Sequence, residues 1–182
     1  MRIITGTAKG TRLETLDGET TRPTSERTKE AIFSTIPFDI EGRSVLDLFA
    51  GSGQLALEAL SRGASKALLC DANPDAFEIL RRNAQKTKLY ERCRILKSDY
   101  KDVLRGCAGR EKFDLIFLDP PYKSDMLQDA LKRIDYHDLL NVSGLIICEN
   151  ETPEPICFDG YSILKYNKYG RACITILTKE RE

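Results

Sequence analysis

From Ser44 onward, short apolar runs alternate with stretches of helical periodicity, and few architectures accommodate that alternation. Residues 45–50, 67–70, 115–118 and 145–148 are nearly continuous in apolar side chains, the mark of strands buried on both faces, and residues 94–96 supply a weaker run between them. Between the runs, Phe77, Leu80 and Ala84 share one helical stripe, and Leu127, Leu131 and Ile134 share another. Strands alternating with helices predict a parallel sheet covered on both faces, a doubly wound α/β fold with its ligand cleft at the carboxyl ends of the strands. The pattern changes at the end. Residues 162–166 and 172–178 flank a short turn containing Gly170 and predict an antiparallel hairpin at the sheet edge.

Ahead of this unit, residues 1–43 read as an extension. Arg2-Ile3-Ile4-Thr5-Gly6 and Thr11-Arg12-Leu13 predict two short strands around a turn. Pro23 opens a helix with Ala31, Ile32 and Ile36 on one face, and Pro37 stops it. Residues 44–182 form the second part. The whole chain has 182 residues and is 41% hydrophobic, which suits a well-buried core. No apolar run is long enough for a membrane span, and Met1-Arg2-Ile3-Ile4 lacks a secretory signal, so the expected compartment is the cytoplasm. Of six cysteines none stands in a C-x-x-C pair, and His137 is the one histidine. Buried reduced thiols, no metal site and no histidine-based catalysis are therefore expected, with His137 as an exposed connector. The 28 basic and 28 acidic residues cancel, which argues against coating nucleic acid through bulk charge but leaves room for a local basic patch. Arg2, Lys9 and Arg12 lie in an N-terminal stretch without acids, and Arg22, Arg27 and Lys29 follow.

The first buried strand runs into Asp47-Leu48-Phe49-Ala50-Gly51-Ser52-Gly53 and then a helix. Gly51 and Gly53 let the backbone turn tightly and approach a ligand without a Cβ in the way. The second strand ends at Asp71, where a carboxylate can accept both hydroxyl hydrogens of a ribose. The spacing also fits a dinucleotide fingerprint. Against a nicotinamide enzyme stand Asp47, whose charge suits a cation better than a pyrophosphate, and the lack of a recognisable hydride-handling set. S-adenosylmethionine carries a ribose, an ammonium and a sulfonium, which accounts for acids at 47 and 71. Asp99, after the third strand, can reach the adenine amino group; it also suits an N-cap of the next helix.

The fourth strand ends in Asp119-Pro120-Pro121-Tyr122. The two prolines remove two amide donors and stiffen the loop. An exocyclic base amine is a poor nucleophile because its lone pair is delocalised into the ring. The Asp119 carboxylate and the Pro120 carbonyl, set on its two hydrogens, would favour a pyramidal nitrogen, and Tyr122 can stack on the base.

The chain resembles the RsmD family, bacterial methyltransferases that modify the N2 amine of one guanine in 16S ribosomal RNA. The likeness runs nearly end to end, through Arg2-Ile3-Ile4-Thr5-Gly6 with Lys9-Gly10, Arg22-Pro23-Thr24-Ser25-Glu26-Arg27, Leu46-Asp47-Leu48-Phe49-Ala50-Gly51-Ser52-Gly53, Leu57-Glu58-Ala59-Leu60-Ser61-Arg62-Gly63, Asp119-Pro120-Pro121-Tyr122 and Tyr169-Gly170. The resemblance implies a seven-stranded class I methyltransferase fold, S-adenosylmethionine as cofactor, and action on 16S rRNA within a small subunit or its assembly intermediate. It implies Arg2, Lys9 and Arg12 on RNA phosphates, with Arg22 in the same basic element and Thr24 and Arg27 lining the site. A monomer is expected. The sequence departs from the family in having Asp71 where glutamate is usual; the shorter carboxylate should still reach a ribose. Three rivals remain: methylation of DNA adenine N6 or cytosine N4 with the same tetrapeptide, methylation of a protein glutamine amide, and an inactive cofactor-binding scaffold.

Overall fold

The computed structural model describes residues 1–16, 26–121 and 125–180. Arg22, Thr24 and Tyr122 lie outside them. The elements run α1 (Glu26–Thr35), β1 (Ser44–Asp47), α2 (Gln54–Ser61), β2 (Lys66–Asp71), α3 (Pro74–Lys86), β3 (Cys93–Lys97), α4 (Tyr100–Cys107), β4 (Phe113–Leu118), α5 (Met126–Tyr136), β5 (Leu140–Asn150), β6 (Tyr161–Tyr169) and β7 (Ala172–Lys179). The seven strands form one sheet in the order β3-β2-β1-β4-β5-β7-β6. β1 to β5 pair in parallel, while β7 runs antiparallel to both β5 and β6. The chain reverses its strand order between β1 and β4, and in sheets of this kind the crevice at that point holds the ligand.

Alternating side chains divide the core into two layers. Val45, Leu115, Phe117 and Ile147 face α1, α2 and α3, whereas Leu46, Ile116, Leu118 and Ile146 face α4 and α5. The nearly continuous apolar runs follow from this, since β1, β2, β4 and β5 bury both faces, whereas the edge strand β3 is only partly covered and its run is correspondingly weaker. The cysteines are all unpaired, as expected; four are buried, but Cys157 is exposed. His137 ends α5, half-buried with its ring edge-on to Tyr136. Among the described residues no helix is long and apolar enough to cross a membrane.

The N-terminal segment differs in detail from the two expected strands. One antiparallel bridge, Arg2 with Arg12, remains, framed by Ile3 N–H to the Thr11 carbonyl at 3.0 Å and Leu13 N–H to the Met1 carbonyl at 3.0 Å. The ladder stops because the next amides are drawn elsewhere. Ile4 and Thr5 donate to the Glu58 carboxylate at 2.8 and 3.0 Å, and Thr7 donates to the Ser61 carbonyl at 2.9 Å. Gly6 has φ 86°, and a Cβ there would lie 1.7 Å from the Ser61 carbonyl oxygen, so this close approach admits only glycine.

Every residue of α2 is buried, because the sheet covers one side and the hairpin and α1 cover the other. Glu58 and Lys29 are consequently 0% exposed, with a separation of 3.2 Å between Lys29 Nζ and Glu58. Lys29 donates to the Arg2 carbonyl at 2.6 Å, and Arg62 reaches Glu58 at 3.0 Å. Burial lowers the Lys29 pKa, and the Glu58 charge opposes that shift. Ile3, Leu13, Ile32 and Phe33 belong to the same apolar cluster as the sheet face, with the Phe33 ring centroid 6.0 Å from that of Phe117. On α1 the buried stripe therefore includes Phe33 rather than the expected Ala31.

Candidate functional site

A cavity of about 400 Å³ opens at the carboxyl ends of β1, β2, β3 and β4, where the strand order reverses. The turn after β1 forms its floor. Gly51 takes φ 51° and Gly53 φ 79°, conformations that side chains with a Cβ rarely adopt. The Gly51 amide donates to Asp71 at 2.9 Å, and the other Asp71 oxygen accepts from Asn73 at 2.9 Å. Each carboxylate oxygen has two acceptor sites, so Asp71 braces the loop and still has capacity for a ligand hydroxyl. Asp99 accepts from Lys101 N–H at 2.8 Å as the N-cap of α4 and also lines the cavity. Phe49 lines the wall with its ring centroid 5.3 Å from that of Tyr100, whose hydroxyl donates to Asp129 at 2.7 Å.

Asp119, Pro120 and Pro121 line the same cavity as Gly51 and Asp71. The Asp119 carboxyl is pushed well above its ordinary 3.8, first by burial, then by the charges of Glu149 and Asp47. Glu149 follows Cys148, the β5 partner of Leu118, and so sits beside Asp119 at the sheet end.

Two expected site residues lie outside the described cavity lining. Gly53 is absent from the described cavity lining; a Cβ there would come within 2.3 Å of Leu80, so its role is to let α2 start against α3. Asp47, expected to face a cationic ligand, is 2% exposed and also absent from the lining. Its carboxylate instead faces the backbone amides of Ala56 and Phe49, behind the glycine loop and the first turn of α2. Burial, and secondarily the Asp71 charge, pushes its pKa from 3.8 to about 7. The folded state thus retains a proton that the unfolded chain has lost. This group's stabilising contribution is fully present below the ordinary carboxylate range and is lost as pH rises through about 7. Urea titrations should show unfolding free energy declining over that window, by up to about 1.4 kcal/mol per pH unit from this group. The decline should be shallower in Asp47→Asn; an equally steep one would place the proton elsewhere.

Arg2, Lys9, Arg12 and Arg27 are all exposed and lie outside the cavity lining. Arg2 pairs with Glu26 at 3.2 Å, with their side chains 61% and 42% exposed. Several cavity residues had no signal in a linear reading. Thr15 and Leu16 come from the N-terminal extension, and Met126 opens α5. Tyr100 could have been found from its place beside Asp99 at the end of a strand.

The cavity's charge selects among ligands. Three carboxylates, Asp71, Asp99 and Asp119, line it, and the described lining residues include no lysine or arginine. A pyrophosphate would meet like charge there, whereas a cationic ligand carrying a ribose is matched. This favours S-adenosylmethionine over a dinucleotide.

A family model described as "Conserved hypothetical protein 95" matches residues 1–178. "Putative rRNA methyltransferase YlbH" of Bacillus subtilis is 38% identical over 161 residues, 86% of this chain and 88% of its own. "Ribosomal RNA small subunit methyltransferase D" of Haemophilus influenzae is 32% identical over 172 residues, 93% of this chain and 89% of its own. Among solved structures, "Putative methyltransferase yhhF from Escherichia coli" superposes with a TM-score of 0.88 at 28% identity, covering 100% of this chain and 99% of that one. A sheet of this topology, an acid-lined cavity after its glycine loop, and likeness along nearly the full length place the chain in the Conserved hypothetical protein 95 family, the RsmD family of S-adenosylmethionine-dependent methyltransferases.

Proposed function

We propose that this chain methylates the exocyclic N2 amine of a guanine in 16S ribosomal RNA of the small subunit or its assembly intermediate. The observation that carries the reading is the meeting of Asp119 and Pro120 with Gly51 and Asp71 on one cavity, so that an amine held by the first pair faces a ligand held by the second. The names of the relatives as ribosomal RNA small subunit methyltransferases support the substrate class.

When bound, S-adenosylmethionine supplies an electrophilic methyl group on sulfur. Asp71 would hold the ribose hydroxyls, Asp99 the adenine amino group and Phe49 the adenine; Gly51 would admit the ligand close to the backbone, with Gly53 and Asp47 supporting from behind. The Asp119 carboxylate and Pro120 carbonyl accept the two amine hydrogens and turn the nitrogen lone pair towards the cofactor. Asp119, as the stronger acceptor, is placed to receive the proton released. Pro121 stiffens the loop and Tyr122 stacks on the extruded base. Rate comes from alignment and from acceptors already in position.

Residues 44–182 act as the methyltransferase part and residues 1–43 as the RNA-binding extension. Arg2, Lys9 and Arg12 neutralise phosphates, and Arg22, Thr24 and Arg27 contribute further contacts to the RNA. Replacing Arg2, Lys9 and Arg12 together by alanine should weaken substrate binding and flatten its dependence on salt, by up to about 0.9 in slope for each phosphate left without its cation. An unchanged slope in binding titrations would remove the hairpin from the RNA-binding surface.

The functional test offers radiolabelled cofactor to unmodified small subunits, free 16S RNA and DNA, followed by mapping of the labelled nucleotide. Label on a guanine N2 of the small subunit is expected. Label on adenine N6 of DNA would replace this proposal with the rival reading.

A further inference from the structure

Asn83 in α3 is 0% exposed, and its amide spans two separate stretches of chain at the cavity. Its side-chain oxygen accepts from Glu14 N–H at 2.8 Å. Its nitrogen donates to the Glu14 carbonyl at 3.0 Å and to the Ser52 carbonyl at 2.8 Å. Both amide hydrogens and one oxygen site are thereby used, which leaves a single orientation for the group. Ser52 belongs to the glycine loop, and Glu14 leads directly into Thr15 and Leu16; Ser52, Thr15 and Leu16 all line the cavity. A second link lies outside this one, Arg82 to the Glu14 carboxylate at 2.8 Å. On its other side Glu14 follows Leu13, which is hydrogen-bonded to Met1 across the hairpin base.

We propose that Asn83 is a positioning residue that holds the 14–16 segment and the glycine loop in one arrangement, and so couples affinity for the cofactor to the docking of the N-terminal hairpin. The proposal rests on the cavity being the S-adenosylmethionine site. The physical reason is the position of the clamp. Leaving Ser52 and both backbone groups of Glu14 without their buried partner frees two cavity walls to move independently, and the ligand must then spend binding energy on ordering them. Because linkage is reciprocal, a ligand that holds the cavity closed also holds the segment leading to the hairpin.

Calorimetry with S-adenosylhomocysteine provides the measurement, combined with backbone hydrogen exchange. Asn83→Ala should bind about tenfold more weakly than the parent protein, equivalent to about 1.4 kcal/mol. In the parent, the ligand should slow exchange at the amides of Glu14, Thr15 and Leu16; in Asn83→Ala that protection should disappear. Ala84→Gly, which loosens the same helix without touching the clamp, controls for general destabilisation and should retain parental affinity. If Asn83→Ala does not fold, Glu14→Pro removes the amide end of the clamp while leaving α3 intact, and the same affinity criterion applies. Parental affinity in the clamp variant, or an equal loss in Ala84→Gly, overturns the role of Asn83. A parent protein that fails to bind S-adenosylhomocysteine overturns instead the cofactor reading beneath it.

Discussion

Asp119→Ala is expected to reduce single-turnover methyl transfer by about three orders of magnitude while S-adenosylhomocysteine still binds. Removing one preorganised charged partner at a reacting centre costs on this scale, and here the same group is placed both to orient the amine and to receive its proton. Asp119→Asn should retain part of the activity, because the amide oxygen still accepts a hydrogen but takes up a proton poorly. The environment of Asp119 adds a signature. Burial and the nearby Glu149 and Asp47 charges raise its pKa well above 3.8, so activity that needs the carboxylate should fall as pH drops through a range well above that of an ordinary aspartate. Glu149→Gln should move that fall to lower pH by removing one negative neighbour. Parental rates in Asp119→Ala would end the assignment of this loop to catalysis.

The largest effect on stability is expected at Glu58. Its carboxylate, 0% exposed, receives Lys29, Arg62 and the amides of Ile4 and Thr5. Glu58→Ala strands a buried ammonium and two amides together, and breaking a buried pair from one side costs about 3–5 kcal/mol. Lys29→Met should cost less, because Glu58 keeps Arg62 and both amides, and the methionine fills most of the vacated volume. Nor should Lys29→Met rescue Glu58→Ala fully, since the two amides would still lack an acceptor. Urea denaturation of the two single variants and the double variant measures this asymmetry. Equal losses in the two single variants would mean that the ion pair, and not the docking of the hairpin amides, governs the site.

The buried strands were legible because each of β1, β2, β4 and β5 is covered on both faces, and an apolar run is what double coverage requires. The tetrapeptide after β4 and the glycine turn after β1 were legible for a related reason. Their residue types, proline and glycine, act on the backbone of their own position. The burial of Asp47 away from the described cavity lining was not legible, because its sequence neighbours do not reveal that its carboxylate turns back towards Phe49 and Ala56. The hairpin strands were overextended because the competing acceptor for Ile4 and Thr5 is a side chain more than fifty residues away.

Residue order alone therefore determined the strand–helix alternation, the glycine turn, the stiff acidic loop and the family likeness, since each is a property of consecutive positions. Tertiary structure decided which carboxylates share a cavity, that an N-terminal segment supplies Thr15 and Leu16 to its wall, and that Glu58 and Asn83 act as buried anchors. The reason is that side-chain hydrogen bonds and desolvation depend on distances in space. Folding joins Glu14, Ser52 and Asn83 through hydrogen bonds of 2.8 to 3.0 Å that no spacing in the chain announces.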